Sequence, residues 1–164
     1  MRFNTDPSFV GIACLKAKHA SQIDQFETWA AQSFWEAFHV SHYDWWAFPI
    51  SHRSSYGLAW SVYEGEAVEL KSDPIFVNRY LRGIELVAAS WGWDVARTSY
   101  LPDPQPGQSW HQWPVRLFKA ALSAKEFGYQ EHFVSLRAYA RILMEQGEPF
   151  SFNGHDLGWL FNSD

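Results

Sequence analysis

The sequence predicts a mostly α-helical protein, folded as a compact single-domain bundle of about five helices. The chain has 164 residues, the size of one ordinary domain, so we expect one hydrophobic core. Apolar residues recur at three- and four-residue steps over several long segments, as they do on one face of an α-helix. The chain also contains ten Trp, seven Tyr and thirteen Phe, so aromatic rings should make up much of that core.

Charge and cysteine content narrow the class of protein. The net charge is −5 and no block of like charge occurs, which argues against a surface that follows nucleic-acid phosphates. Cys14 is the single cysteine in these residues, so an intramolecular disulfide or a multi-cysteine zinc site cannot form within them. The apolar run before Lys16 is too short to span a bilayer. We therefore expect a cytoplasmic protein without nucleic-acid or membrane partners.

The first part of the chain predicts an arm, a long helix and an irregular crossing. Residues 1–18 mix proline, glycine and a short apolar run, which favours an extended arm. Helical spacing of apolar residues over positions 21–46 predicts the first helix, and Pro49 biases Phe48 away from helical geometry. Residues 50–65 alternate apolar and polar side chains around serine and glycine, so we expect an irregular, aromatic-rich crossing. The apolar positions of the first helix are Ile23, Phe26, Trp29, Ala30, Phe34, Ala37 and Phe38.

Three core helices and a docked tail are predicted after the crossing. An aspartate of the preferred N-cap type followed by proline predicts a helix over residues 73–92. Proline again marks the start of a helix over residues 114–128, and a further helix over residues 130–147 follows at once. The few residues between these two helices favour an antiparallel hairpin. Residues 148–164 carry several large apolar side chains and should dock on the body of the domain.

The corner where the first helix meets Pro49 carries a short motif. Tyr43, Trp46, Phe48 and Pro49 fit the pattern YxxWxFP. The helix predicted over residues 73–92 carries two arginines and a Glu-Leu pair, at Arg79, Arg82, Glu85 and Leu86. These features resemble the conserved region of the opioid growth factor receptor family, over roughly residues 25–145. The resemblance implies a helical fold with a groove for a peptide or a small ligand.

The same corner combines aromatic rings with histidine and arginine. Trp, Tyr and Arg are the residues that dominate binding hot spots, so we expect a non-catalytic binding domain that recognises a peptide or a small apolar ligand here. Trp45 and Trp46 cannot share one helix face, so one ring should pack inward while the other lines the surface. The expected ligand-binding residues are His39, His42, Tyr43, Trp46, Arg53, Tyr56 and Trp60.

Two alternatives use this corner differently. An enzyme would use His42 and Asp44 as a general acid and base, because an aromatic pocket would desolvate both groups. A structural subunit would place the surplus of aromatic residues at an interface between copies of the chain.

A metal site is the remaining candidate at the corner. On a continuous helix His39 and His42 would share a face at a spacing that suits two metal ligands, but the sequence selects no third ligand. Glu36 and His39 form one ExxH motif, whereas a di-iron bundle needs two. We therefore expect neither a metal nor a cofactor.

Overall fold

The computed structural model describes residues 1–162 and confirms a mostly helical chain. In these residues there are eight helices and two small antiparallel hairpins, one hairpin between the fifth and sixth helices and one between the seventh and eighth. None of these helices has the length and apolar character needed to span a membrane. The helices are α1 (Ile12–Ala31), α2 (Glu36–Val40), α3 (Asp44–Ala47), α4 (Glu64–Lys71), α5 (Pro74–Ser90), α6 (Pro114–Glu126), α7 (Gln130–Glu145) and α8 (Trp159–Asn162). The hairpins pair β1 (Trp93–Asp94) with β2 (Ser99–Tyr100) and β3 (Ser151–Phe152) with β4 (His155–Asp156).

The first helix both begins and ends earlier than the sequence predicts. α1 starts at Ile12, inside the expected arm, and ends at Ala31 instead of residue 46. Ser33 follows with a positive φ of 54°, in a stretch that contains neither glycine nor proline. The chain then turns back through α2, so the Phe38 ring packs on the Phe26 ring at 4.9 Å from a different helix. The apolar spacing continues across the break because both helices bury their rings in one core.

The three core helices begin within one residue of their predicted starts and end two residues before their predicted ends. α6 and α7 form the expected antiparallel hairpin, turned at Gly128, whose φ of 86° is one that glycine adopts without strain. The Tyr80 hydroxyl of α5 lies 2.7 Å from the Ser123 hydroxyl of α6, and Ser123 donates to the Pro49 carbonyl at 2.7 Å. Because of these contacts, α5 and α6 hold the chain at the corner.

The tail packs on this core within the described residues. Phe150, Leu160 and Phe161 are 7%, 1% and 0% exposed, and all three belong to the apolar cluster that starts at Leu15. The last two positions of the predicted tail, residues 163 and 164, lie outside the described residues.

The N-terminal arm is shorter than predicted, and a buried polar contact holds it. Asn4 is 9% exposed, and its backbone N–H donates to Glu66 Oε1 at 2.8 Å. Its side-chain amide donates to the carbonyls of Leu58 and Ser61, both at 2.8 Å. Glu66 is 3% exposed and also accepts the Tyr63 N–H at the start of α4. The arm therefore fastens the end of the crossing to α4.

Replacing Asn4 by alanine should lower the free energy of unfolding by about 1–3 kcal/mol, because the buried Ser61 carbonyl and the part-buried Leu58 carbonyl would lose their donor. Urea denaturation followed by tryptophan fluorescence measures the change. Thr5→Ala, at the exposed neighbouring position, is the control and should change the free energy by less than about 0.5 kcal/mol. Equal denaturation midpoints for the two variants would contradict an anchoring role for Asn4.

Candidate functional site

The crossing forms a closed loop that lies beside α3. The Val62 N–H donates to the Ile50 carbonyl at 3.0 Å at its base. At its tip Ser54 and Gly57 exchange two backbone hydrogen bonds of 2.9 Å, in a turn that needs the positive φ of 63° at Gly57. This turn exposes Tyr56, which is 52% accessible to solvent.

Four aromatic rings meet where the crossing touches α3, and we call Trp45, Trp46, Tyr56 and Trp60 the aromatic face. The Trp45 and Tyr56 ring centroids lie 4.8 Å apart in an edge-to-face arrangement, and those of Trp46 and Trp60 lie 5.2 Å apart. The three tryptophans are half-buried. Trp46 packs against the hydrophobic core and is tied to α1, whereas Trp45 is not among the rings packed on that core, in line with the prediction that one of the two packs inward.

Two lysine side chains contact rings of the aromatic face. The Lys18 ammonium lies 4.5 Å from the Trp46 ring centroid, and the Lys119 ammonium lies 4.9 Å from that of Trp45. Such contacts are attractive because the face of an indole ring carries partial negative charge. The Trp46 indole N–H also donates to Gln22 Oε1 of α1 at 2.8 Å. The ring positions are therefore fixed from both α1 and α6.

A cluster of charged residues lies buried beneath the aromatic face, and we call Asp44, Arg116 and Lys119 the buried charge cluster. Asp44 Oδ2 is 3.0 Å from the Lys119 ammonium, and Asp44 Oδ1 is 3.9 Å from Arg116 Nε. Asp44 and Arg116 are 3% and 2% exposed. Arg116 donates to the Phe38 carbonyl at 2.5 Å and to the Ser41 carbonyl. The guanidinium therefore joins α6 to the end of α2.

The crevice between the aromatic face and the buried charge cluster is small. Trp45, Trp60, Asp44, Lys119 and His52 are among its lining residues, and it offers about 10 Å³, room for roughly one water. A site that encloses a small ligand usually has roughly 300–1,000 Å³. A cavity of about 580 Å³ does exist, but residues of α5, α7 and the turn between β1 and β2 line it.

Most of the predicted ligand-binding residues do lie at the corner. His42, Arg53 and Tyr56 are exposed there, and Trp46 and Trp60 are half-buried beside them. These five residues therefore stay accessible to a partner that approaches the aromatic face.

Tyr43, which was predicted to bind ligand, belongs to the core. It is 1% exposed, and its hydroxyl donates to the Phe38 carbonyl at 2.7 Å. Burial raises the pKa of the Tyr43 hydroxyl well above its usual range. Its ring packs on Phe26 and carries the Arg116 guanidinium at 4.8 Å on its face. Tyr43 therefore supports the corner from inside, and a ligand on the surface would not touch it.

His39 lies in a different cluster, against the proline-rich loop that precedes α6. Its ring stacks on the His111 ring with 3.7 Å between centroids, and its Nε2–H donates to the Gly107 carbonyl at 2.7 Å. Burial lowers the pKa of His39, and the Gly107 carbonyl partly offsets that effect. α2 ends at Val40, so His39 and His42 do not share a helix face. In residues 1–162 no group of three or more His, Cys, Asp or Glu could hold a metal ion.

His42 and Asp44 are not brought together as a general acid and base. The exposed His42 ring lies 6.3 Å from the Trp45 ring, while Lys119 and Arg116 flank the Asp44 carboxylate in the interior. Within the described part of the chain no hydrogen bond joins His42 to Asp44. General acid–base catalysis needs both groups within reach of one reacting atom, and this geometry does not assemble them.

Sequence reasoning missed the cations of the site. Arg116 and Lys119 stand three positions apart on α6, beside Leu117 and Ala120, which are both fully buried. Two basic residues within the apolar stripe of a helix were the available signal, because such residues are rarely buried without a partner. Lys18 gave no comparable signal, since it lies on the exposed side of α1 and reaches Trp46 only in the folded chain.

Comparison with known proteins does not identify the chain. The resemblance to the opioid growth factor receptor family stays a prediction that depends on the YxxWxFP corner, and function has to be argued from the aromatic face. No protein-family model, no curated protein and no solved structure matches this sequence or its fold.

Proposed function

We propose that the chain is a non-catalytic binding domain that recognises a peptide at the aromatic face. The observation that carries this proposal is that four aromatic rings in mutual contact remain partly exposed at one corner. Tryptophan and tyrosine dominate binding hot spots because each ring buries a large area with little loss of side-chain freedom. Exposed apolar patches with polar rims are typical of interaction sites.

A peptide fits this corner better than a small apolar ligand. A small ligand would need an enclosing cavity, and the crevice offers about 10 Å³. Lys18 and Lys119 already occupy ring faces of Trp46 and Trp45, which leaves ring edges and the exposed Tyr56 for contact. A peptide can cover such a shallow surface and insert one small group into the crevice.

The two alternatives have less support. The enzyme alternative needs His42 and Asp44 at one reacting atom, whereas Asp44 is 3% exposed and its carboxylate faces Lys119 and Arg116. The homo-oligomer alternative would use the same aromatic face, so the binding experiment has to distinguish self-association from peptide binding. Neither a nucleic acid nor a cofactor enters the proposal.

A random library of twelve-residue peptides displayed on phage should yield sequences that bind the purified chain through Tyr56. We expect Tyr56→Ala to weaken the binding of the enriched peptides at least about tenfold, measured by fluorescence anisotropy of labelled peptides. Because Tyr56 is 52% exposed, the variant should change the free energy of unfolding by less than about 1 kcal/mol.

Tyr100→Ala is the matched control, because Tyr100 is 49% exposed on β2 and has no part in the aromatic face. It should leave peptide affinity unchanged. Failure to enrich any sequence, or equal losses in the two variants, would refute peptide binding at this face. Dimers in sedimentation experiments that Tyr56→Ala separates into monomers would assign the face to self-association instead.

A further inference from the structure

The buried charge cluster carries an unbalanced positive charge. It contains two cations, Arg116 and Lys119, and one carboxylate, Asp44. In residues 1–162 no other carboxylate forms an ion pair with either cation. The Arg116 and Lys119 side chains are 3% and 12% exposed, so solvent screens this charge less than it would at the open surface. An incoming anion would offset the cost of keeping such a charge buried.

Both cations also have N–H groups without a partner. An ammonium has three donors, and in the described residues Lys119 directs one of them to Asp44 Oδ2 at 3.0 Å and contacts no other protein oxygen. The Arg116 Nε–H is buried, and in the same residues it has no hydrogen-bond partner, since Asp44 lies 3.9 Å away. Buried donors are nearly always satisfied in folded proteins, so the Arg116 Nε–H indicates a missing acceptor, whereas the Lys119 ammonium is 12% exposed and lines the crevice.

The crevice connects the surface to Lys119. Trp45 and Trp60 line it beside Lys119, together with the exposed His52 and the half-buried Ser54. Its room of about 10 Å³ holds about one water-sized atom, which is enough for a single carboxylate oxygen and not for a whole ligand. Aromatic rings around a charge pair exclude water and strengthen the attraction between the two charges.

The rim of the aromatic face adds further positive charge. Lys18 and Arg53 are both exposed at this corner, where the Asp6 carboxylate interacts electrostatically with Arg53, although the chain as a whole has a net charge of −5. Charge complementarity between two surfaces speeds their encounter and selects the partner. A partner with negative charge therefore fits this corner better than a neutral one.

We infer that the crevice is a socket for a carboxylate, with Lys119 as its main donor, and that the peptide bound at the aromatic face is acidic. The inference rests on the proposed function and specifies the chemistry of the ligand. An aspartate or glutamate of the peptide would place one carboxylate oxygen between Trp45 and Trp60, where it accepts a free N–H of Lys119, while the rest of the carboxylate stays at the mouth of the crevice. The apolar part of the peptide would cover the exposed rings.

The main test compares two lysines of α6. Lys119→Met removes the charge and keeps an apolar stem beside Trp45, whereas the Lys125 ammonium lies over the Phe133 ring of α7 and serves as the matched control. The phage-selected peptides should contain Asp or Glu, and their Asn or Gln isosteres should bind the parent chain at least about tenfold more weakly. In Lys119→Met the isosteres should bind less than about twofold more weakly than the acidic peptides. Lys125→Met should discriminate between them as the parent chain does.

A second variant, Lys119→Arg, distinguishes the loss of charge from a folding defect. Lys119→Arg keeps the positive charge, so it should keep the preference for acidic peptides while Lys119→Met loses it. The melting temperature of each variant shows whether it is folded. Loss of the preference in both variants, with the parent melting temperature retained, would overturn the role of charge at this position.

Sodium propionate tests the socket without any peptide, and propionamide is its uncharged analogue. Propionate should shift the indole N–H resonances of Trp45 and Trp60 in the NMR spectrum of the parent chain. The shifts should be absent with propionamide and with Lys119→Met. Equal shifts with the two compounds would contradict a carboxylate site.

The two levels of the proposal can fail separately. Peptides that bind equally well with Asp or Asn would overturn the socket and leave peptide recognition standing. A failed peptide selection, together with a response to propionate that propionamide does not give, would overturn peptide recognition and leave the carboxylate site standing. If the chain instead sediments with vesicles of phosphatidylserine and phosphatidylcholine, and Lys119→Met abolishes this without any enrichment of acidic peptides, the face binds a membrane and the acidic-peptide proposal is wrong.

Discussion

Replacing Arg116 by alanine should lower the free energy of unfolding by about 3–5 kcal/mol, because the change empties a large buried site and leaves two carbonyls without a donor. The change removes the donor to the Phe38 and Ser41 carbonyls at the end of α2. It also uncovers the face of the buried Tyr43 ring, which the guanidinium now covers at 4.8 Å. Urea denaturation at pH 7 measures the effect.

Arg97→Ala is the control for the Arg116 variant. The Arg97 side chain is 79% exposed, and its ion pair with Asp94 is 3.9 Å long, so its loss should matter by less than about 1 kcal/mol. The loss of unfolding free energy in Arg116→Met should lie between those of Arg116→Ala and Arg97→Ala, because methionine restores packing volume but donates no hydrogen bond. A midpoint for Arg116→Ala that matches the Arg97→Ala midpoint would contradict the structural role of the buried charge cluster.

Acidification from pH 6.5 to pH 4 should destabilise the fold by about 3 kcal/mol through His19 alone. His19 is 1% exposed, and its ring lies 4.7 Å from that of Phe76. Neither ring nitrogen has a hydrogen-bond partner in residues 1–162. Burial lowers the pKa of His19 from 6.5 to about 4, with the Ala47 backbone acting in the opposite direction.

The sign of the effect follows from proton binding. Between about pH 4 and pH 6.5 the unfolded chain binds a proton at His19 and the folded chain does not, so unfolding takes up a proton and stability rises with pH. Above pH 6.5 the imidazole is neutral in both states, and its contribution no longer changes. Below about pH 4 the folded chain would also be protonated, and the loss is complete.

His19→Leu isolates this contribution, because leucine does not titrate. Relative to the parent, the free energy of unfolding of this variant should rise by about 3 kcal/mol as the pH falls from 7 to 4. At pH 7 the two proteins should differ by less than about 1.5 kcal/mol, since no hydrogen bond is lost. Parallel pH profiles for the two proteins, from urea denaturation at each pH, would show that His19 is not the titrating group.

Local signals explain which helices could be predicted. α5 starts at the Asp73-Pro74 pair, where the Asp73 carboxylate accepts the Ile75 and Phe76 N–H groups, and α6 starts at Pro114. Such starts depend on the chemistry of a few adjacent residues, so the sequence displays them. The end of α1 has no such signal, because the residue with positive φ there is Ser33 and neither glycine nor proline stands near it.

The site was predictable only in part, for a related reason. The rings of the corner lie close together in the sequence, so their composition indicated a binding surface. Asp44 and its partner Lys119 are 75 positions apart, and no local pattern connects them. The same holds for His39 and His111, whose ring stack places His39 away from the corner. Contacts of this kind depend on how helices pack, which a single sequence does not display.

The anchoring of the N-terminal arm determines the order in which parts of the fold can be completed during synthesis. The side-chain and backbone partners of Asn4 are made 54 to 62 residues after it, and α1 packs mainly on α5. At a translation rate of about 5–20 residues per second, the apolar face of α1 stays uncovered for several seconds after it leaves the ribosome. Of the helices described here, α1 is therefore synthesised first and is the one that a chaperone would meet exposed, until α5 emerges and covers it.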